Sequence, residues 1–308
     1  MIGSRAFTGL GRGGRATLSA LAFGLIFVSL VALARPAGAL YRVNLNPATD
    51  STALPVVSTG EVPAEVLRDA QQLAREVYRN QEQAQDYTGQ LLALYQATLG
   101  QQALLVFSPG GWGTKSVEHS AGWDSIVRGL DDVLRPTGLN WMVLNYRRTP
   151  HVWYAKIDEA FAQVRKYPRK APDLARRLDF LTAHHPGLTV FLASESNGTM
   201  FNDRVMQMVN NRERVYNIAT GPPFYYTMRH LEHTLVLNDN GEVPDAFSQG
   251  HMGTILRSNF MALFRLDGQD RPRGDVMGRI RAPGHYYGWD RPRVAADITG
   301  FVTGILTP

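Results

Sequence analysis

From residue 103 onward the sequence repeats one pattern: a short apolar run, a turn, and a segment with helical spacing. The runs with strand character are ALLVF (103–107), WMVLNY (141–146), TVFLA (189–193), VYNIA (215–219), TLVLN (234–238) and VMGRIRA (276–282). Apolar strands that alternate with helices are typical of a mostly parallel sheet with helices on both faces. The pattern therefore predicts an α/β fold for 103–308, with functional groups beyond the carboxyl ends of the strands.

The segment before this pattern has a different character. Residues 41–60 are rich in proline, serine and threonine, whereas 61–99 has helical spacing with Val66, Ala70 and Ala74 on one face. We therefore expect 40–102 to form an extended linker and a helical N-terminal region that precedes the α/β domain.

The first 39 residues have the features of a secretory signal peptide. Arginines and no acids precede the apolar run 16–34, and Ala37-Gly38-Ala39 is an A-x-A cleavage pattern. We expect cleavage after Ala39 and export to the periplasm or the medium. The main alternative is an uncleaved membrane anchor formed by 16–34, which approaches spanning length, and a mitochondrial presequence is a third.

Charge and cysteine content exclude several classes of partner and site. The leader contains four arginines and no acids, so its removal reduces the formal net charge from +5 to +1. No strong polyanion-binding character remains, and we expect no nucleic-acid partner. The absence of cysteine excludes disulfides and thiolate metal sites. His230 and His233 have the spacing of metal ligands but no evident third ligand, so we expect no metal and no cofactor.

The run TVFLA leads directly into Ser194-Glu195-Ser196-Asn197-Gly198, which fits the pattern small-x-Ser-x-Gly. Small residues two positions before and after a serine let a strand and a helix approach closely at a tight turn. Ser196 would then be a nucleophile at a helix N-terminus, where backbone N–H groups favour negative charge. The alternative is an ordinary strand-to-helix turn, in which serine, asparagine and glycine are common.

A nucleophilic serine needs hydrogen-bond donors for the oxyanion that forms during the reaction. A glycine-rich segment, 108–113, directly follows ALLVF. We predict that the N–H of Gly111 or Trp112 is the first donor and the N–H of Asn197 the second. The alternative is a glycine turn beneath a packed tryptophan. The overlapping GGWGTKS is only partly similar to a phosphate-binding loop, because Thr114 stands where that loop needs glycine, so a nucleotide-binding enzyme is the weaker alternative.

A general base is the other requirement, and His285 is the best candidate. It lies in PGHYYGWDRPRVAADITGF, after the last predicted strand and before the terminal helix. His184, His185 and His233 lie inside or beside predicted elements.

The segments VFSPGGWG, FLASESNGT and PGHYYGWDRPRVAADITGF, in this order, resemble the α/β-hydrolase superfamily. The resemblance covers about 103–306. It implies a serine esterase or lipase-like enzyme with a catalytic triad in the order serine, acid, histidine. The implied acid follows TLVLN, in NDNGEVPDAF, where Asp239, Glu242 and Asp245 all remain candidates.

The sequence thus predicts an exported serine hydrolase that cleaves a small-molecule or lipid ester, with membrane association if 16–34 is retained. The alternative is a non-catalytic binding module of the cell envelope with the same fold.

Overall fold

The computed structural model describes residues 44–47, 62–149, 153–229, 232–264, 274–276 and 280–307, which fall within one compact unit. The predicted leader and the rest of the predicted linker lie outside these ranges. Among the residues that the structure describes, each helix is either too short or too polar to span a lipid bilayer.

The core of the fold is a six-stranded sheet. Its strands are β1 (Asn44–Pro47), β2 (Ala103–Ser108), β3 (Trp141–Arg147), β4 (Thr189–Glu195), β5 (Val215–Thr220) and β6 (Thr234–Leu237). They lie in the order β1-β3-β2-β4-β5-β6, with β1 antiparallel to β3 and the other neighbours parallel. Strand β2 is buried throughout because its apolar run is continuous, as in sheets covered on both faces. The predicted mostly parallel sheet is confirmed.

Helices cover both faces of this sheet. They are α1 (Ala64–Val77), α2 (Gln81–Ala97), α3 (Ala121–Leu134), α4 (Trp153–Val164), α5 (Lys170–His184), α6 (Asn197–Met206), α7 (Met252–Leu263) and α8 (Pro292–Leu306). Along β2, Leu104 and Val106 belong to one hydrophobic cluster, which includes residues of α1, α2, α5 and α6. Leu105 and Phe107 belong to the other, with residues of α3 and α8. The alternation places one set of side chains on each face.

The described residues of the run VMGRIRA do not join the main sheet, and the prediction of this run as the last strand of that sheet is wrong. It contributes to two short strands, β7 (Asp275–Val276) and β8 (Ile280–Arg281), which pair antiparallel in a separate sheet. Glycine and two arginines within the run leave too little apolar surface for a strand buried on both faces. Val276 instead packs in a small cluster with Phe247 and Ile255, and β6 ends the main sheet among the described strands.

The strand order places two loops side by side. Strand β3 lies on one side of β2, and β4 lies on the other. The connection that leaves β2 therefore runs toward one edge of the sheet, to β3, and the connection that leaves β4 runs toward the opposite edge, to β5. In open parallel sheets, such a reversal forms a crevice beyond the carboxyl ends of the strands. The loop after β2 and the turn after β4 therefore meet at this crevice.

Candidate active site

The turn between β4 and α6 holds Ser196 in a strained conformation. Its φ is 49° and its ψ is −125°. Residues other than glycine rarely adopt this backbone conformation, which costs about 1–3 kcal/mol. Its N–H donates to the Thr220 carbonyl at 2.9 Å, and its carbonyl accepts from the N–H of Thr199 at 2.9 Å. The backbone on both sides of Ser196 therefore holds the turn in place.

Gly198 allows this turn to lie close to strand β2. A Cβ atom added there would lie 2.3 Å from the Ser108 carbonyl oxygen and 3.0 Å from that of Pro109. Both atoms belong to the backbone and cannot rotate away. The predicted need for a small residue at this position is therefore a steric one.

His285 is hydrogen-bonded to one carboxylate. Its Nδ1 lies 2.8 Å from Oδ2 of Asp245, whose side chain is fully buried. Oδ2 also accepts from the Tyr287 hydroxyl at 2.7 Å and the Ser248 hydroxyl at 2.8 Å, while Oδ1 accepts from the N–H groups of Phe247 and Ser248. An ionised carboxylate only accepts hydrogen bonds, so Nδ1 carries the proton and Nε2 of the neutral ring can act as a base.

The same contacts keep Asp245 ionised. Burial by itself would raise the pKa of this carboxyl, but hydrogen bonds and charge from His285, with further bonds from Ser248 and Tyr287, outweigh it and lower the pKa. Tyr287 is affected in the opposite direction, since burial and the neighbouring carboxylate raise the pKa of its hydroxyl far above the ordinary value. The pair is therefore a carboxylate and a neutral phenol that donates to it.

The two other candidate acids have different partners. Asp239 accepts from the N–H of Gly241 at 2.8 Å and from Arg293 at 3.0 Å, and Glu242 pairs with Arg291. Asp245 is thus the member of the predicted set that the structure brings to His285.

Ser196 and His285 line the same cleft, which has a volume of about 260 Å³ and also includes Gly111 and Trp112. The imidazole rests against Gly221, where a Cβ atom would lie 2.6 Å from Cε1 and where φ is +62°. Among the described residues, no hydrogen bond joins the Ser196 hydroxyl to His285. In ligand-free enzymes such a bond is often long and shortens only when substrate binds.

The strand order reverses between β2 and β4, and a strained serine turn, the elbow, joins β4 to helix α6, which is the strand-turn-helix arrangement described for α/β hydrolases. The chain has the α/β-hydrolase fold. It matches no family model and no curated protein.

Several solved structures are similar to this chain at low sequence identity. Trichoderma reesei cutinase, in complex with a phosphonate inhibitor, is 14% identical over 81% of this chain and 95% of its own, with a TM-score of 0.37. An acetyl xylan esterase is 14% identical over 66% and 98%, with a TM-score of 0.35. A putative α/β hydrolase from Agrobacterium tumefaciens is 17% identical over 68% and 89%, with a TM-score of 0.31.

The predicted oxyanion donors lie around the elbow of this hydrolase fold. Gly111, which has a φ of +55°, and Trp112 line the cleft with Ser196. Asn197 is the first residue of α6, where an N–H group has no carbonyl partner within the helix. The loop is held beside the elbow by a bond of 3.3 Å from the Gly110 N–H to Oε1 of Glu195. The oxyanion role of these groups stays a prediction.

The sequence reasoning missed several polar residues of the cleft. Glu195 is one of them, and its Oε2 accepts from the Ser120 hydroxyl at 2.6 Å. Lys115 and His119 also line the cleft. Tyr287 lies two residues after His285 and donates to the same carboxylate oxygen of Asp245. The described residues contain one group of potential metal ligands, formed by residues 65, 69 and 184, which do not line the cleft.

Replacing Gly198 by alanine should reduce the free energy of unfolding by about 1–3 kcal/mol, because the added methyl group overlaps the Ser108 carbonyl. Urea unfolding measures the change. Gly300→Ala is the matched control, since Gly300 lies within α8 and its Cβ would meet no atom within 4 Å. That variant should gain up to about 1 kcal/mol from helix propensity. Equal effects at both positions would contradict the steric role of Gly198.

Proposed function

We propose that this protein is a serine hydrolase that cleaves carboxylic ester bonds. One observation carries the proposal: Ser196, at its strained turn, lines the same cleft as His285, and His285 is hydrogen-bonded to the buried, ionised Asp245. A base oriented by a carboxylate and placed in one cleft with a strained serine is the arrangement needed for acyl transfer.

In the proposed mechanism, Ser196 Oγ attacks the ester carbonyl while His285 Nε2 removes its proton. Asp245 keeps the proton of the imidazole on Nδ1 and stabilises the imidazolium that forms. The N–H of Asn197 and that of Gly111 or Trp112 bind the oxyanion. His285 then protonates the leaving alcohol, and water repeats the sequence to release the acid.

The cleft suits a compact ester with polar groups. Its volume of about 260 Å³ is below the ~300–1,000 Å³ typical of drug-sized ligand pockets. Lys115, His119 and Glu195 provide charged and polar lining, and Tyr286 provides an aromatic surface. We therefore propose a short-chain or otherwise small ester as the substrate. Export through the predicted leader stays a prediction.

A labelling experiment tests the proposed function. The purified protein is treated with a fluorophosphonate, digested, and analysed by mass spectrometry to locate the modified residue. We expect one label per chain, on Ser196, with parallel loss of p-nitrophenyl acetate hydrolysis. The non-catalytic alternative predicts a folded protein with neither labelling nor turnover, and a label on another serine would contradict the assignment of Ser196.

A further inference from the structure

Gln163 on helix α4 joins the two chain segments that carry the predicted oxyanion donors. Its Nε2 donates to the carbonyl of Gly111 at 3.2 Å, and its Oε1 accepts from Nδ2 of Asn197 at 3.4 Å. Gly111 belongs to the loop after β2, and Asn197 begins α6 directly after Ser196. One amide side chain therefore bridges the loop and the elbow.

The partner of Gln163 at the elbow is itself fixed in orientation. Asn197 is almost fully buried, and its Oδ1 accepts from the Tyr225 hydroxyl at 2.8 Å. Because Oδ1 is taken by Tyr225, the Nδ2 group of Asn197 faces Gln163. The bridge thus acts on an asparagine whose side chain is held at both ends.

A second connection from α4 reaches the same loop one helical turn earlier. Glu159, four residues before Gln163 and on the same face of α4, accepts from Arg148 Nε at 2.9 Å and from Lys170 Nζ at 2.6 Å. Arg148 in turn donates from Nη1 to the Pro109 carbonyl at 2.7 Å. Arg148 and Glu159 are both completely buried, so this ion pair is shielded from solvent.

The loop also fits closely against the guanidinium. A Cβ atom at Gly113 would lie 2.9 Å from Arg148 Nη2, and the carbonyl of Gly113 accepts from the N–H of Thr149 at 3.3 Å. Burying two charges is costly unless geometry and hydrogen bonds compensate, and its best-attested benefit is a unique arrangement of the parts. Here the parts are helix α4 and the loop after β2.

We propose that Gln163 is a positioning residue that sets the separation between the two oxyanion donors, with the Arg148–Glu159 pair anchoring α4 to the loop. This inference rests on the proposed function. Gln163 acts through Gly111 and Asn197 and does not touch the reacting atoms. Its loss should impair the transition state, in which the oxyanion exists, and leave substrate binding largely unchanged.

The test compares Gln163→Leu with the wild-type protein. It measures kcat and KM for p-nitrophenyl acetate and the affinity for phenylboronic acid, an inhibitor that forms a tetrahedral adduct with an active serine. We expect kcat to fall by about 10-fold to 100-fold with little change in KM, less than the ~10²–10³-fold for removing a donor outright. The affinity for the boronic acid should fall by the same factor as kcat/KM. Val164→Ala is the control, because Val164 is adjacent on α4 and 81% exposed.

The outcomes distinguish the role of Gln163 from the proposed function. Wild-type kcat in Gln163→Leu, or a higher KM at unchanged kcat, would overturn the role of Gln163 and leave the proposed function standing. A wild-type protein without turnover or labelling would overturn both. If circular dichroism shows that Gln163→Leu is unfolded, Gln163→Asn replaces it, since a shorter amide cannot span both partners and should give the same pattern.

Discussion

Replacing Ser196 by alanine is expected to lower kcat for p-nitrophenyl acetate by about 10⁵–10⁶-fold and to abolish fluorophosphonate labelling, because the reaction then has no nucleophile. The stability of the fold should be almost unchanged. Among the described residues, the Ser196 hydroxyl makes no hydrogen bond, so the free energy of unfolding should change by less than about 0.5 kcal/mol. Stopped assays at high enzyme concentration and urea unfolding measure the two quantities.

Ser194 provides the matched control for Ser196. It lies two residues earlier in β4, is fully buried, and donates to the Ile218 carbonyl at 3.3 Å. Ser194→Ala should therefore lose about 1 kcal/mol of stability and keep its activity. Ser196→Ala should lose activity and keep its stability, whereas Ser194→Ala should lose stability and keep its activity. Residual labelling of Ser196→Ala at the wild-type rate would place the nucleophile elsewhere.

The sequence predicts the sheet and the elbow because both depend on local patterns. Each parallel strand contains a short, mainly apolar run, and the run is bounded by turn residues that appear directly in the sequence. The elbow is likewise contained in five consecutive residues, and the Gly198 contact with Ser108 follows from the tightness of that turn. The failed strand, VMGRIRA, had the right length but contained charges that a strand buried on both faces cannot carry.

The acid could not be chosen from the sequence because the choice depends on residues far away along the chain. Asp239 and Glu242 are engaged by Arg293 and Arg291, at the start of α8, about 50 positions later. Asp245 instead meets His285 and Tyr287. The distance of each acid from the end of β6 along the sequence does not show which of these distant residues it contacts. The pairing of Asp239 and Glu242 with arginines excludes them as partners of His285, and this pairing is visible only in the fold.

The bridge formed by Gln163 was hidden for the same reason. The segment 147–172 has no recognisable motif, and Gln163 contacts residues that are 52 positions before it and 34 positions after it. The Glu159–Gln163 spacing places both side chains on one face of a helix. Spacing alone, however, does not show that this face meets the loop after β2.

Replacing Asp245 by asparagine should lower kcat by about 10³–10⁴-fold. The amide would place N–H groups where Oδ2 now accepts from His285, so Nδ1 would have to accept and the proton would move to Nε2. His285 could then no longer take the proton of Ser196. The Tyr287 hydroxyl would also lose its acceptor, and this should cost about 1–3 kcal/mol of stability. Activity is therefore to be measured well below the midpoint of thermal unfolding.

Asp239→Asn and Glu242→Gln test the same question from the other side. Both remove an acid whose partner is an arginine near the surface, an interaction worth about 0–1 kcal/mol. Neither carboxylate contacts His285, so both variants should retain kcat within a factor of about two and lose at most ~1 kcal/mol of stability. A 10³-fold loss in one of them, with Asp245→Asn still active, would require the loop 239–245 to rearrange when substrate binds. Since Asp245 accepts hydrogen bonds from two backbone N–H groups and three side chains, such a rearrangement would have to break all of these bonds, and we expect the loss of activity at Asp245 alone.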